Sequence, residues 1–447
     1  MMKQKLISMI VLLFVFVAAG FAQNKINFTE YNLDNGMHVI LHKDNTTPIV
    51  AVTMMYHVGS KNEKSDRTGF AHFFEHLMFE GSPNIPREQY FKIVQNAGGQ
   101  LNANTSFDRT FFYEILPSNQ LKLGLWLESE RLLHLKIDSV GVETQRKVVI
   151  EERHQRYDNQ PYGSVLEETF KRAFKGTPYE WMPIGSAQYI DKATIAEFRN
   201  FYKEYYVPQN VTLSIAGDID INQAKKEIAE YFAGIPKGPE KIYRPDFKIQ
   251  AQKAEVRDTV YDNIQLPLVL QAYHIPAQGT PDYYALNMLT TILSTGQSSR
   301  LYKAVVDKEQ KAINVGSFPF ALEDAGLFIS YGICNAGVKA NDLEASMQTE
   351  LDKVKKNLIS EEEFQKIRNQ VKNNFVSQNA TDAGVAENLA QYYVFFGNTD
   401  LINTEIDRFM KVTREDIKRV ADKYLTNNNR VVLYYLPKSA EPKKEGK

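Results

Sequence analysis

Two histidines and a glutamate in one short segment could bind a metal ion and move a proton. The segment is His72-Phe73-Phe74-Glu75-His76. Residues four apart lie on one face of an α-helix, so both imidazoles can reach the same ion. Glu75 then lies beside the open side of that ion, where a carboxylate can act as a general base. A pair of core histidines packed among phenylalanines is the alternative. The aromatic neighbours favour the metal site, because a dry shell fixes the orientation of the imidazoles.

A catalytic zinc site usually has three protein ligands, so a third must come from elsewhere. Residues 148–154, Val-Val-Ile-Glu-Glu-Arg-His, offer Glu151, Glu152 and His154. Successive helical residues differ by about 100°, so only one of them can face the site squarely. Val148 and Val149 place Glu152 at the edge of the buried stripe. A Glu-Glu-Arg run is also typical of a solvated helix face, and the residues alone leave this choice open.

Strands and helices that could position these groups alternate along the chain. Asn35-Gly36 between apolar runs predicts a hairpin over 31–41, and residues 50–56 continue as a strand. Helical patterns cover 70–79, 120–133 and 142–157. The sequence therefore predicts an α+β protein.

The two sides of a Pro- and Gly-bearing stretch, 234–239, resemble each other. In each, a threonine that can cap a helix precedes a helix and then a strand. Four pairs of identical residues share the constant offset of 219: Lys192 and Lys411, Thr194 and Thr413, Tyr205 and Tyr424, Asn210 and Asn429. We therefore predict two homologous halves, each an antiparallel or mixed sheet with helices on one face, and a site placed between them.

Composition excludes several classes of protein. The 447 residues carry 53 Lys plus Arg against 54 Asp plus Glu, which argues against a nucleic-acid partner. Cys334 is the only cysteine, so a thiolate metal cluster is excluded. Residues 1–22 have a basic start, an apolar run and small residues before Gln23, which predicts a signal peptide. The apolar run is shorter than the roughly 20 residues that span a bilayer, and no later segment is suited to stable membrane insertion. We expect an exported protein, with a bacterial periplasm as its destination.

Beyond its individual motifs, the mature chain resembles the pitrilysin/insulinase-like zinc peptidases, the inverted zincins. The resemblance rests on His-x-x-Glu-His followed by Glu in a Val-Val-x-Glu-Glu setting. It extends to Leu33-Asp34-Asn35-Gly36, Gly69-Phe70-Ala71-His72, Glu80-Gly81-Ser82, Gly98-Gly99 through Asn102-Ala103, and Tyr162-Gly163. It implies a half-size bacterial member with a fold like that of mitochondrial processing peptidase.

The resemblance implies one Zn²⁺ per chain, bound by His72, His76 and Glu152, with Glu75 as the general base. It selects Glu152 over Glu151 because family members keep the second glutamate of that pair. It also implies that an extended peptide pairs with an edge strand over 101–105, where Asn102 and Ala103 would bind the substrate. Ordinary turn chemistry after Gly98-Gly99 is the alternative for the asparagines. Gln145 departs from the family pattern, since several relatives have a glutamate there.

A second departure concerns an Arg and Tyr, seven residues apart, that stabilise the oxyanion in related proteins. The resemblance places Val306 and Ile313 at those positions, and neither side chain can donate a hydrogen bond. Arg300 and Tyr302 lie nearby but are only two residues apart. We therefore expect a homologous partner subunit that carries the Arg/Tyr pair, or else a homodimer.

Two functions remain in view. The first is a zinc-dependent endopeptidase that hydrolyses peptides or unfolded segments in a chamber formed with a second subunit. The second is a catalytically idle scaffold subunit of the same fold. The predicted domains are a metal-binding peptidase domain at 23–235, a linker at 236–250 and a homologous domain without a metal site at 251–447.

Overall fold

The computed structural model describes residues 25–442 of the chain; the predicted signal peptide, 1–22, lies outside the described residues. The strands are β1 (Thr29–Asn32), β2 (His38–Lys43), β3 (Ile49–Tyr56), β4 (Gln100–Thr105), β5 (Thr110–Pro117), β6 (Val211–Gly217), β7 (Val256–Asp262), β8 (Leu268–Ile275), β9 (Ala312–Ala321), β10 (Gly326–Cys334) and β11 (Arg430–Pro437). The helices are α1 (Phe70–Leu77), α2 (Tyr90–Asn96), α3 (Leu121–His134), α4 (Ser139–Arg153), α5 (Val165–Ala173), α6 (Ala187–Lys192), α7 (Ile195–Tyr205), α8 (Ile221–Phe232), α9 (Pro281–Ser294), α10 (Ala340–Lys356), α11 (Glu361–Gln378), α12 (Asp382–Phe396), α13 (Leu401–Met410) and α14 (Arg414–Tyr424). Short π-helical segments, His154–Asp158 and Tyr302–Lys308, also occur, the first directly after α4.

These strands form two sheets of the same design. The first has the order β1-β2-β6-β3-β5-β4 and the second β7-β11-β8-β10-β9. Each sheet contains one parallel pair, which is β2 with β6 in the first sheet and β7 with β11 in the second. The strands beyond β6 and beyond β11 pair antiparallel. The predicted α+β fold with two homologous halves is therefore confirmed, and the Asn35-Gly36 hairpin joins β1 to β2.

The matching residues of the two halves make matching hydrogen bonds. Thr194 and Thr413 both cap a helix in a reciprocal capping box. The Asn210 amide donates to the Tyr205 carbonyl at 2.7 Å, and the Asn429 amide donates to the Tyr424 carbonyl at 2.9 Å. Conserved bonding at one offset is what duplication of a helix-strand unit produces.

Each half also covers the outer face of the other half's sheet. α12 lies on the first sheet, where Leu389 and Ala386 pack against Ala51 and Ala216. α5 lies in the same way on the second sheet, with Phe170 packed in a core that includes Leu270. Since this exchange covers central strands of both sheets, the two halves form one packed body.

Other helices cover the opposite face of the sheet in their own half, such as α3 in the first half and α10 in the second. Alternation along β3 sends Val52 and Met54 into the core on the side of α3, while Ala51 faces α12. Residues 236–255 cross between the halves without a helix or strand. Among the described residues, every helix is too short or too polar to cross a bilayer.

Candidate metal centre

The site begins with the helix that carries both histidines. α1 starts after Gly69, which has φ 94°, a conformation that glycine adopts without strain. The buried Glu63 carboxylate accepts the N–H groups of Gly69 and Ala71, each at 2.8 Å. Burial raises the pKa of Glu63 to about 8, and these donors partly offset that effect. The carboxylate therefore satisfies donors that the first turn of a helix leaves free.

Aromatic packing sets the rotation of α1 about its axis. Phe70 and Phe73 stack on Phe198 of α7, with ring centroids 4.7 and 4.4 Å apart. Phe74 stacks on Phe201, one turn further along α7, at 5.6 Å. Since these rings occupy the buried side of the helix, the other side presents His72 and His76 to a cavity.

His72, His76 and Glu152 converge there. The Glu152 Oε2 atom lies 3.1 Å from His76 Nε2 and 3.6 Å from His72 Nε2. One ligand atom from each residue lies within 4.8 Å of the others. Burial, reinforced by His76, lowers the pKa of His72 to about 4, so its imidazole is neutral at pH 7. The hydrogen bond with His76 lowers the pKa of Glu152.

This donor set fits a zinc ion. Two imidazoles and one carboxylate are the ligands of a known class of catalytic zinc site. The Nδ1 atom of His72 is buried without a hydrogen-bond partner among the described residues, while its Nε2 atom faces Glu152. The geometry thus brings together the three ligands expected from the resemblance, and their role as ligands remains a prediction.

The other candidates for a third ligand point elsewhere. Glu151 is exposed and accepts a hydrogen bond from Gln155 at 2.8 Å. His154 lies beyond α4, where its Nδ1 atom is 2.9 Å from Asp158. Gln145, at the position where the resemblance expects a glutamate, donates to Glu80 at 2.7 Å.

Glu75 faces the same cavity from α1. Thr105 Oγ1 donates to its Oε2 atom at 2.6 Å. Burial raises the pKa of Glu75, which brings this carboxyl group closer to neutral pH than a solvated one. Such a shift suits a group that must both take and return a proton.

The predicted edge strand borders the cavity. Within residues 25–442, β4 pairs with β5 alone, so its other side has no strand neighbour in that range. Asn102 and Ala103 both line the cavity, and the N–H of Ala103 donates to Asn102 Oδ1 at 2.9 Å rather than to β5. This outward N–H is available to a peptide that displaces the asparagine side chain.

The cavity has a volume of about 890 Å³ and lies between the two halves. The second half contributes an apolar wall at the end of β9, Phe320 and Leu322, and two amides, Gln278 and Gln391. The positions considered for an oxyanion donor, Val306, Ile313, Arg300 and Tyr302, do not line it. Arg300 is instead paired with Glu363 at 2.6 Å.

Sequence reasoning missed a charged cluster that joins the halves beside this cavity. We name the Lys61 cluster after its central residue, whose Nζ atom lies 3.0 Å from Asp108, 2.5 Å from Glu323 and 2.9 Å from Asp324. Burial alone would lower the pKa of Lys61, but the carboxylates raise it above its ordinary value. The three carboxylates are close enough to hold a cation, and the ammonium group fills that place.

Sequence reasoning also missed Thr105 and Arg109. Arg109 donates to Asn104 at 2.6 Å and to Glu387 of α12 at 2.8 Å, and it lines the cavity. A threonine and an arginine near a turn carry no signal for such a role. The one signal was that Thr105 ends the expected edge strand, 101–105.

Comparisons with known proteins give matches over most of the chain. Residues 38–182 match the sequence model of the insulinase family, peptidase family M16, and residues 192–371 match that of the M16 peptidase inactive domain. The chain is 32% identical to the zinc protease PqqE of Helicobacter pylori, over 91% of this chain and 92% of that protein. It is 24% identical to a probable mitochondrial-processing peptidase subunit beta of Arabidopsis thaliana, over 88% of this chain and 75% of that protein. A crystal structure of a protease from Helicobacter pylori superposes with a TM-score of 0.88 at 29% identity, covering 92% of this chain and all of that one.

Proposed function

This chain belongs to the insulinase family of peptidases, M16, and we propose that it is a zinc-dependent endopeptidase that hydrolyses extended peptides or unfolded segments. The observation that carries the proposal is the meeting of His72, His76 and Glu152 with Glu75 at one cavity. The site residues fall within the stretch that matches the insulinase model, outside the stretch that matches the inactive domain.

His72, His76 and Glu152 would hold the ion. When bound, zinc supplies Lewis-acid chemistry that lowers the pKa of a water molecule toward about 7. Glu75 takes a proton from the attacking water and later returns it to the leaving amine. The raised pKa of Glu75 supports both steps, since burial makes its carboxylate a stronger base than a solvated one.

The substrate would bind in extended form along β4. The outward N–H of Ala103 and the neighbouring Asn102 side chain would hydrogen-bond to the backbone of the substrate. Such bonds do not depend on the amino-acid sequence of the substrate. The apolar wall at Phe320 and Leu322 lies across the cavity and excludes water from the bound peptide.

A second subunit would complete the chamber. Among the residues that line the cavity, those from the second half include no Arg and no Tyr. A homologous partner with the Arg/Tyr pair would supply the missing donors, and a homodimer is the simpler arrangement. The relative named as a subunit of mitochondrial-processing peptidase supports the first arrangement.

Export and domain limits complete the proposal. Residues 1–22 would direct the chain to the periplasm. The division into 23–235, 236–250 and 251–447 is retained as the expected organisation. It is supported by the lack of helices and strands in 236–255.

Metal analysis and a peptidase assay test the proposal together. We expect one zinc per chain in the wild type and in Glu75→Gln. With the partner subunit present, turnover of an unstructured peptide should be lowered by about 100-fold or more in the variant. Near-wild-type turnover of zinc-loaded Glu75→Gln would rule out Glu75 as the general base.

Addition of the partner tests the chamber. The isolated chain should be nearly inactive, because each lost oxyanion donor costs about 3 kcal/mol of transition-state stabilisation. Full activity of the isolated chain would contradict the need for a partner and would direct attention to Gln278 and Gln391. Absence of bound zinc from the purified chain would instead favour the idle scaffold.

A further inference from the structure

The Thr105 hydroxyl is the one hydrogen-bond donor to the Glu75 carboxylate among the described residues. A glutamate side chain rotates about three bonds, so a buried carboxylate without a partner can occupy several orientations. The contact from Thr105 Oγ1 to Glu75 Oε2, at 2.6 Å, therefore selects one of them.

Thr105 is itself held firmly because it ends β4 at a tight hairpin. It pairs with Thr110 across the hairpin. The Ser106 N–H donates to the Arg109 carbonyl at 2.8 Å, and Ser106 Oγ accepts from the N–H groups of Asp108 and Arg109. These bonds fix the backbone from which the Thr105 hydroxyl projects.

The second half braces the same hairpin. Arg109 joins Asn104 of β4 to Glu387 of α12, and only 14% of its side-chain surface is exposed. Asp108 accepts from the Glu323 N–H at 3.0 Å. The position of Thr105 thus depends on contacts with both halves.

We infer that Thr105 is a positioning residue for the general base: its hydroxyl holds the Glu75 carboxylate toward the metal centre, on a strand braced by Arg109 and Glu387. The inference rests on the proposed function of Glu75. The same strand would bind the peptide at Ala103, so substrate and base share one rigid support. Each is placed relative to the other by the geometry of β4.

The test compares Thr105→Val, Thr105→Ser and Thr110→Val in the full chain. Valine keeps the shape of threonine without the hydroxyl, and serine keeps the hydroxyl. Thr110 is the matched control, since it is the cross-strand neighbour and its hydroxyl donates to the Val58 carbonyl instead. Zinc content is measured for each variant, kcat and KM are measured with the homologous partner subunit present, and crystal structures of the wild type and Thr105→Val show the Glu75 carboxylate.

We expect Thr105→Val to lower kcat by about 10- to 100-fold, the rate equivalent of one hydrogen bond to a charged group, with KM within about twofold. Thr105→Ser should restore most of kcat, and Thr110→Val should leave it unchanged. In the Thr105→Val crystal, the Glu75 carboxylate should leave its wild-type position.

Several outcomes would overturn the inference. Wild-type kcat in Thr105→Val would do so while leaving the peptidase proposal intact. Equal losses in the valine and serine variants, with zinc lost from both, would indicate a purely structural role. A wild type that stays inactive with the homologous partner subunit present would contradict the proposed function, while the crystals would still show whether Thr105 holds the Glu75 carboxylate. An unmoved Glu75 carboxylate in Thr105→Val rejects the positioning role.

Discussion

Replacing Lys61 with methionine should weaken the attachment of the two halves to each other. The ammonium group touches Asp108 of the first half and Glu323 and Asp324 of the second. Methionine has a similar length but no charge, so the variant keeps the packing and removes the cation. Three carboxylates would then face one another beside the cavity.

The cost follows from the burial of each carboxylate. Asp324 is 48% exposed and remains solvated, and Glu323 keeps His57 at 2.9 Å. Asp108 is only 6% exposed and keeps just the Tyr179 hydroxyl and the Glu323 N–H. Removing one partner of a buried ion pair costs about 3–5 kcal/mol. Because Asp324 remains solvated and Glu323 keeps His57, we expect the lower end of this range, about 3 kcal/mol.

Acid should reduce this deficit. Burial raises the pKa of Asp108 even in the presence of Lys61, and loss of the cation raises it further. A carboxyl group whose folded-state pKa exceeds its unfolded value binds protons preferentially in the folded state. The free energy of unfolding of Lys61→Met should therefore lie closer to that of the wild type at pH 5 than at pH 8.

Urea titration at both pH values measures the effect. Lys64, an exposed neighbour, provides the control: Lys64→Met should change the free energy of unfolding by less than about 0.5 kcal/mol. Adding Asp108→Asn to Lys61→Met should recover part of the loss, because it removes the buried uncompensated charge. If Lys61→Met is as stable as Lys64→Met at pH 8, the cluster does not join the halves as described.

Three further predictions concern the site. Glu152→Gln should weaken zinc binding by more than about 100-fold in a chelator competition, whereas Glu151→Gln should retain it; the opposite result would reassign the third ligand. Gly185→Ala should destabilise the fold by more than about 2 kcal/mol in thermal unfolding, because its Cβ would lie 2.3 Å from the backbone just before α1. Gly234→Ala, which meets nothing within 4 Å, should not, and equal Tm values would contradict this reading. Ala103→Pro removes the outward N–H of β4, so KM should rise about tenfold with zinc retained. An unchanged KM would argue against binding along β4.

The fold could be anticipated to a large extent from local patterns. The helix over 70–79 exists as α1, the hairpin at Asn35-Gly36 forms, and the helix expected over 120–133 spans Leu121–His134. The helix expected over 142–157 begins earlier and changes to a π-helical turn after Arg153. The exchange of α5 and α12 between the halves was not anticipated, because no pattern in a single amphipathic helix says which sheet it will cover.

The sequence alone determined which residues of a single helix share a face. His72 and His76 share a face because the hydrogen-bonded backbone holds a fixed angle per residue, so their joint reach for one ion follows from spacing. The same rule separated Glu151 from Glu152 in angle, yet it could not say which of them faced α1.

The tertiary structure decided every contact between distant segments. It brought Glu152 to 3.1 Å from His76, set Thr105 against Glu75, and closed Lys61 on Glu323 across the two halves. Such contacts depend on how aromatic cores pack and how the hairpin is braced. Thr105 and Glu75 lie 30 residues apart in the sequence, and Lys61 and Glu323 lie 262 residues apart. A local pattern fixes angles within one element, whereas the distance between elements is set only when the cores between them close.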